Sequence, residues 1–164
     1  MLSEIQQKTV WEGWLGAEIR ANYFAEMCGR YQFRHKALTW TTLVFSSGAA
    51  ATLISDWLPQ DMRWVRPTLA LLAAGVSFLT LLQQYLRRIP ECADLHSRWN
   101  RLGNEYKALW DEMYSPDALV RLRELEEKEV ELSKSSATAV SNNKRAMLKW
   151  QRYVQKQHGF PSVA

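Results

Sequence analysis

The sequence predicts an all-α membrane protein, in which a two-transmembrane helical hairpin is joined to a cytoplasmic helical bundle and the chains form oligomers. Two uncharged runs, 37–55 and 67–86, are each as long as a helix needs to cross a hydrocarbon core of roughly 30 Å. The linker between them is short and charged, and it contains Pro59. The alternative is a pair of buried helices in a soluble bundle, but a core helix seldom stays uncharged on every face.

Aromatic and basic residues mark the ends of the two predicted spans. The aromatic pairs that bracket the spans lie about 25 and 31 Å apart at the helical rise, the spacing of an aromatic belt. Basic residues precede the first span and follow the second, so the positive-inside rule places both termini in the cytoplasm. The predicted membrane-interface anchors are Trp40, Trp57, Trp64, Tyr85, Arg34, Lys36, Arg87 and Arg88.

The first segment, 1–36, is predicted to be a cytoplasmic or interfacial helix. Its apolar residues recur at helical spacing, and no apolar core of a signal peptide is present. Its last residues combine aromatic and basic side chains, which favours anchoring at a membrane surface. The alternative is a ligand or partner site made by Arg30, Arg34 and His35.

The hairpin, 37–86, carries small and hydroxyl residues at helical spacing on each span. Such residues let helices approach closely and form hydrogen bonds in lipid. Two interpretations stay open: packing between the two helices, or the lining of a pore that several subunits would enclose. The pore-lining candidates are Thr39, Thr42, Ser46, Ser77, Thr80 and Gln84.

The third segment, 87–132, is predicted to hold two cytoplasmic helices. Pro90 predicts a bend or break, and the second helix is predicted from about Pro116 to Leu132, with its glutamates on a solvated face. In the first helix, apolar residues step by four, three, four, three and four, which is the period of a coiled-coil seam. This seam is too short to stand alone, so it is expected to pack on the N-terminal helix or on a neighbouring subunit. Its members are Leu95, Trp99, Leu102, Tyr106, Leu109 and Met113.

The last segment, 133–164, is predicted to be a polar linker, or a frayed helix end, followed by a basic amphipathic helix. The helix carries five cations and no acid between Lys144 and His158, and Lys149 and Arg152 are the candidate contacts to an anionic ligand or partner. Pairing within the protein or its oligomer is the favoured interpretation. Nucleic acid is unlikely to be the partner, because no nucleic-acid-binding motif accompanies the charge.

Sequence motifs for catalysis are missing from the chain. Its three histidines and two cysteines form no HExxH, GxSxG or zinc-ligand spacing, and no glycine-rich phosphate loop is present. The thiols of Cys28 and Cys92 are expected to be reduced. The sequence therefore predicts a protein that is not an enzyme and that holds no metal or cofactor.

The layout resembles that of the SLATT family. The stretch RANYFAEMCGRYQFRHK leads into the first predicted span, and ECADLHSRWNRLGNEYKALWDEM follows the second, so the resemblance covers roughly residues 10–132. It implies a two-transmembrane effector of bacterial anti-phage defence that sits in the inner membrane. Such an effector would oligomerise and permeabilise the membrane when an upstream sensor protein or a nucleotide-derived signal activates it.

Two other functions are consistent with the same residues. One is a non-conducting membrane adaptor that recruits a soluble partner through its cytoplasmic helices. The other is a direct ligand sensor that uses Arg30, Arg34 or the basic tail.

Overall fold

Four α-helices and no strand make up the part of the chain that the computed structural model describes, which is residues 2–46, 75, 85–139 and 143–159. We number the helices α1 (Glu4–Ser46), α2 (Tyr85–Asp111), α3 (Ala118–Ala139) and α4 (Lys144–Gln157). The chain divides into two compact units. The first, Met1–Cys28 with Pro90–Ala164, is called the bundle unit, and the second is Gly29–Ile89.

Judged on the helices that the structure describes, the prediction of a membrane protein is wrong. None of these helices is both long and apolar enough to cross a bilayer. The uncharged part of α1 is limited to Ala37–Ser46, which rises about 15 Å against the roughly 30 Å of a hydrocarbon core. A multi-pass channel or pore in the inner membrane with cytoplasmic termini is therefore not retained. The rest of the predicted spans 37–55 and 67–86, apart from residues 75, 85 and 86, lies outside the described residues.

Two helix boundaries also differ from the predictions. Pro90 does not break α2, which runs through it. As the sixth residue of the helix, the proline removes one backbone N–H donor and leaves those of its neighbours in place. Residues 133–139, for which a linker or a frayed helix end was predicted, are the end of α3, which continues past the predicted boundary at Leu132. There the hydroxyls of Ser135, Ser136 and Thr138 donate to carbonyls three or four residues earlier, so the polar side chains are satisfied within the helix.

The core of the bundle unit forms where α2 lies between α1 and α3. At one end of the pair formed by α1 and α2, the backbone N–H of Leu2 donates to the carbonyl of Met113. Further along, His96 Nδ1 lies 2.9 Å from the carbonyl oxygen of Ala21. Early residues of α1 thus lie beside late residues of α2, and the two helices are antiparallel.

The predicted seam of α2 lies largely in this core. Leu95, Trp99, Leu102, Tyr106 and Leu109 are buried, and Met113, in the turn after α2, is half-buried. Side chains of the same chain cover the seam. The Trp99 indole donates to Ser136 Oγ of α3 at 2.9 Å, and the guanidinium of Arg20 on α1 lies 4.5 Å from the Trp99 ring centroid.

A close contact between α1 and α2 depends on Gly13. A Cβ added at this position would lie 2.6 Å from Cζ of the Tyr106 ring, well inside van der Waals contact. The ring is buried, so it has little room to shift. The missing side chain of Gly13 therefore allows Tyr106 to reach across to α1.

Replacing Gly13 tests this contact. We expect Gly13→Ala to lower the free energy of unfolding by about 1–3 kcal/mol, the usual cost of overpacking a core. Gly16→Ala is the control, because an added Cβ there would meet only Arg20 Nη1, at 3.5 Å. This control should gain up to about 1 kcal/mol from helix propensity. Urea unfolding measures both variants, and equal stabilisation by the two would contradict the proposed contact.

Candidate functional site

A half-buried carboxylate joins three helices of the bundle unit. Arg20 Nη1 of α1 donates to Glu129 Oε1 of α3 at 2.8 Å, and the Tyr106 hydroxyl of α2 donates to Glu129 Oε2 at 3.0 Å. Both carboxylate oxygens are therefore occupied. Charge-assisted hydrogen bonds of this kind are stronger than neutral ones, so this triad fixes how the three helices are rotated relative to one another.

The Tyr106 phenol is held in its protonated form. Burial raises the pKa of this phenol well above its ordinary value, and the negative charge of Glu129 raises it further. The hydroxyl therefore acts as a donor to Glu129 and not as a base toward a substrate. The triad is a structural connection between helices.

A groove of about 650 Å³ lies between α1 and α3 beside this triad. Glu12 on α1 and Glu126 and Val130 on α3, all exposed, line it together with Tyr106 and Glu129. The two inner groups already bond to each other, and Glu12 lies 3.7 Å from the Lys8 amine. The lining of the groove thus combines three carboxylates with the Lys134 amine.

Helix α4 is held along α1 by a series of polar contacts. The backbone N–H of Asn143 donates to the Tyr23 hydroxyl at 3.1 Å, and the Trp150 indole donates to Glu26 Oε2 at 2.6 Å. Only 16% of the Glu26 side chain is exposed, so this bond is shielded from water. Beneath α4, Ala146 and Val154 are buried. The helix is therefore fixed in its rotation about its own axis.

An aromatic cluster fixes the end of α4. The His158 ring lies 5.5 Å from Trp11 and 5.2 Å from Trp14 in edge-on arrangements, and its Nε2 lies 2.9 Å from Glu18 Oε2. Trp110 of α2 packs against Trp11 at 5.2 Å. Edge-on aromatic pairs contribute beyond their buried area, so the chain just after α4 is attached to both α1 and α2 through this cluster.

The outer face of α4 carries a line of cations, which we call the basic stripe. Its members step by four, three and four along the helix, so they project from one side. All of them are exposed, and Lys149 lies 3.1 Å from Glu26 Oε2. The other members have no ion pair within the part of the chain that the structure describes. The basic stripe is Arg145, Lys149, Arg152 and Lys156.

Apolar side chains flank the basic stripe. Leu148 is 52% exposed and Tyr153 is 56% exposed, although both belong to a helix whose opposite side is packed on α1. A tyrosine and a leucine beside unpaired cations favour contact with a protein surface, since aromatic residues are enriched in protein interfaces. The surface thus combines positive charge with exposed apolar area.

The structure describes only part of the predicted pore lining. Thr39 is exposed, and its hydroxyl donates to the carbonyl of His35 at 2.9 Å. Thr42 and Ser46 belong to α1, but their side chains lie outside the description, as do Ser77, Thr80 and Gln84 altogether. That these six residues share a polar face that lines a pore therefore stays a prediction.

The predicted interface anchors are described in part. Among them Trp40, Arg34, Lys36, Arg87 and Arg88 are exposed, and Trp40 is 68% exposed. Tyr85 begins α2, but its side chain lies outside the described residues, as do Trp57 and Trp64.

The predicted ligand contacts belong to two different units. Arg30, Arg34 and His35 lie in the second unit, where the two arginines are exposed and the histidine is half-buried. Lys149 and Arg152 lie in the bundle unit, on the basic stripe. The five predicted ligand contacts are therefore divided between the two units, three in the second unit and two in the bundle unit.

Sequence reasoning missed the contacts that orient these surfaces. It assigned Glu129 to a solvated face, but the side chain is half-buried and bonded to two partners. It gave no partner to His158 or to Glu26. The one available signal was Tyr106 within the apolar seam, because a buried tyrosine hydroxyl usually requires a hydrogen-bond partner.

Comparison with known proteins adds no identification. The chain matches no protein-family model, no curated protein and no solved structure. The resemblance to the SLATT family therefore stays a prediction.

The attachment of α4 to α1 can be tested at Glu26. We expect Glu26→Ala to leave the Trp150 indole without its acceptor, a loss of about 1–3 kcal/mol for a shielded donor. Backbone amides of α4 should then exchange with deuterium on the order of tenfold faster, while those of α2 stay unchanged. Glu12→Ala, an exposed carboxylate on the same helix, is the control. Unchanged exchange in α4 of the Glu26 variant would contradict the attachment.

Proposed function

We propose that the protein is an adaptor that binds an acidic protein surface through the basic stripe of α4. The observation that carries the proposal is the outward line of cations on a helix whose inner side is fixed to α1. Binding requires no chemical step, and the proposal assigns no catalytic residue. Arg145, Arg152 and Lys156 are the cations available for a partner.

Fixing the helix in advance favours association. A partner that meets the basic stripe finds its charges already in line, because Glu26 and the aromatic cluster hold the backbone of α4. The backbone of α4 therefore needs no further ordering on binding, and preorganisation of this kind strengthens association. Charge complementarity mainly sets the rate and the choice of partner, so binding should weaken as salt is added.

The form of the surface favours a helical partner. The basic stripe extends over twelve residues, 145–156, which is a rise of about 16 Å along the helix axis. A second helix with carboxylates at steps of three and four presents charges along one line of similar length. Leu148 and Tyr153 lie beside that line and can contact the apolar side chains of such a helix.

The SLATT resemblance supplies a setting for an adaptor. Within that setting, anti-phage defence in a bacterium and activation by a sensor protein or a nucleotide-derived signal are part of the proposal. Arg30, Arg34 and His35 stay the candidate contacts for such a signal. The pore is not proposed, because it depends on membrane spans that no described helix provides.

Binding to a defined acidic helix tests the proposal. A labelled helical peptide with glutamates at steps of three and four should bind the full chain, with an affinity that falls as salt rises. The combined variant Arg145→Gln, Arg152→Gln and Lys156→Gln should bind at least about tenfold more weakly, because three charge contacts are lost. Fluorescence anisotropy measures both affinities.

A matched variant controls for the change in net charge. Arg101→Gln, Arg123→Gln and Lys134→Gln together remove three exposed cations of α2 and α3 and should leave peptide binding unchanged. Equal losses in the two triple variants would contradict a site on α4. Displacement of the peptide by duplex DNA at much lower concentration than by unlabelled peptide would show a nucleic-acid surface instead, and would also contradict the proposal.

A further inference from the structure

We propose that the basic stripe of one chain binds α3 of a second copy of the same chain. This inference rests on the proposed function and names the acidic surface that the adaptor meets. It is argued from a second line of charges that the bundle unit presents.

The outer face of α3 carries three glutamates, which we call the acidic stripe: Glu124, Glu127 and Glu131. They step by three and four, so they lie on one side of the helix, and all are exposed. Val120, four residues before Glu124, continues the same line and is 59% exposed. The buried residues Leu122, Leu125 and Leu132 lie on the opposite side of α3.

The carboxylates of the acidic stripe are largely available for an external partner. Glu124 and Glu127 make no ion pair among the residues that the structure describes. Glu131 lies 3.9 Å from Arg98, and both side chains are substantially exposed. Water screens an exposed pair of this kind, so Arg98 holds Glu131 only weakly.

The two stripes match in spacing as well as in charge. Val120 with the acidic stripe steps by four, three and four, and the basic stripe steps by four, three and four. When two such helices lie side by side, each glutamate can face a cation along the shared line. In the antiparallel direction, Glu127 faces Lys149 and Glu124 faces Arg152. The exposed Val120 then lies near the end of α4 that carries Tyr153.

The geometry requires the second helix to come from another chain. Within one chain, α4 is attached along α1 through Glu26 and Glu18, and no ion pair joins α3 to α4 in the described ranges. Each copy presents both stripes, so two copies can exchange contacts in a two-fold pair, or many copies can join head to tail. Either arrangement pairs the basic stripe with the acidic stripe.

Charge reversal on each stripe tests the pairing. The full chain should associate in sedimentation velocity as its concentration rises, and added salt should reverse the association. Arg152→Glu and Glu124→Lys should each weaken self-association at least about tenfold, because each puts like charges opposite one another. Arg101→Glu, an exposed reversal on α2, is the control and should associate as the natural chain does. Circular dichroism confirms that each variant is folded.

Mixing the two reversed chains gives the decisive comparison. An equimolar mixture of Arg152→Glu and Glu124→Lys should recover association, because residues 152 and 124 face each other and opposite charges then meet at both contacts between unlike chains. Failure of the mixture to recover overturns the pairing. A natural chain that stays monomeric, yet still binds the acidic peptide, overturns this inference and leaves the adaptor function standing. Loss of both peptide binding and self-association overturns the two proposals together.

Discussion

The carboxylate of Glu129 is the interaction on which the arrangement of the bundle unit depends. It accepts from Arg20 on α1 and from Tyr106 on α2, so one residue of α3 connects all three helices. The Tyr106 ring can take its place only because Gly13 leaves room for it. Together these contacts fix the rotation of α1 about its axis. With that rotation fixed, a side of α1 other than the one that carries Gly13 and Arg20 is available to α4.

The contacts that α4 makes with that side of α1 set the orientation of α4. Glu26 and Glu18 present acceptors to Trp150 and His158, and the tryptophan cluster surrounds the histidine ring. The helix therefore buries Val154 and turns its cations outward. A line of charge of which the described part of the bundle pairs only Lys149 is the physical basis of the proposed adaptor function. The glutamates of α3 supply the complementary line.

Local periodicity made part of this structure predictable from the sequence. The period of apolar residues in α2 identified side chains that are buried, and the basic amphipathic pattern identified α4. The contacts of Glu129, Glu26 and His158 join residues that are far apart in the chain, and such contacts leave no periodic trace. The membrane prediction failed for another reason. It was drawn from two uncharged runs and from the aromatic and basic residues at their ends. As described, α1 carries charge over most of its length, with only a short uncharged end.

Cross-linking between differently labelled copies tests the central claim most directly. A carbodiimide joins an amine to a carboxylate in contact, and mixing ¹⁴N and ¹⁵N chains distinguishes links between chains from links within one. The account predicts mixed-isotope links from Lys149 or Lys156 to the glutamates of α3, beside the link within one chain from Lys149 to Glu26. Recovery of the Lys149–Glu26 link alone, at concentrations where the protein associates, would contradict the account.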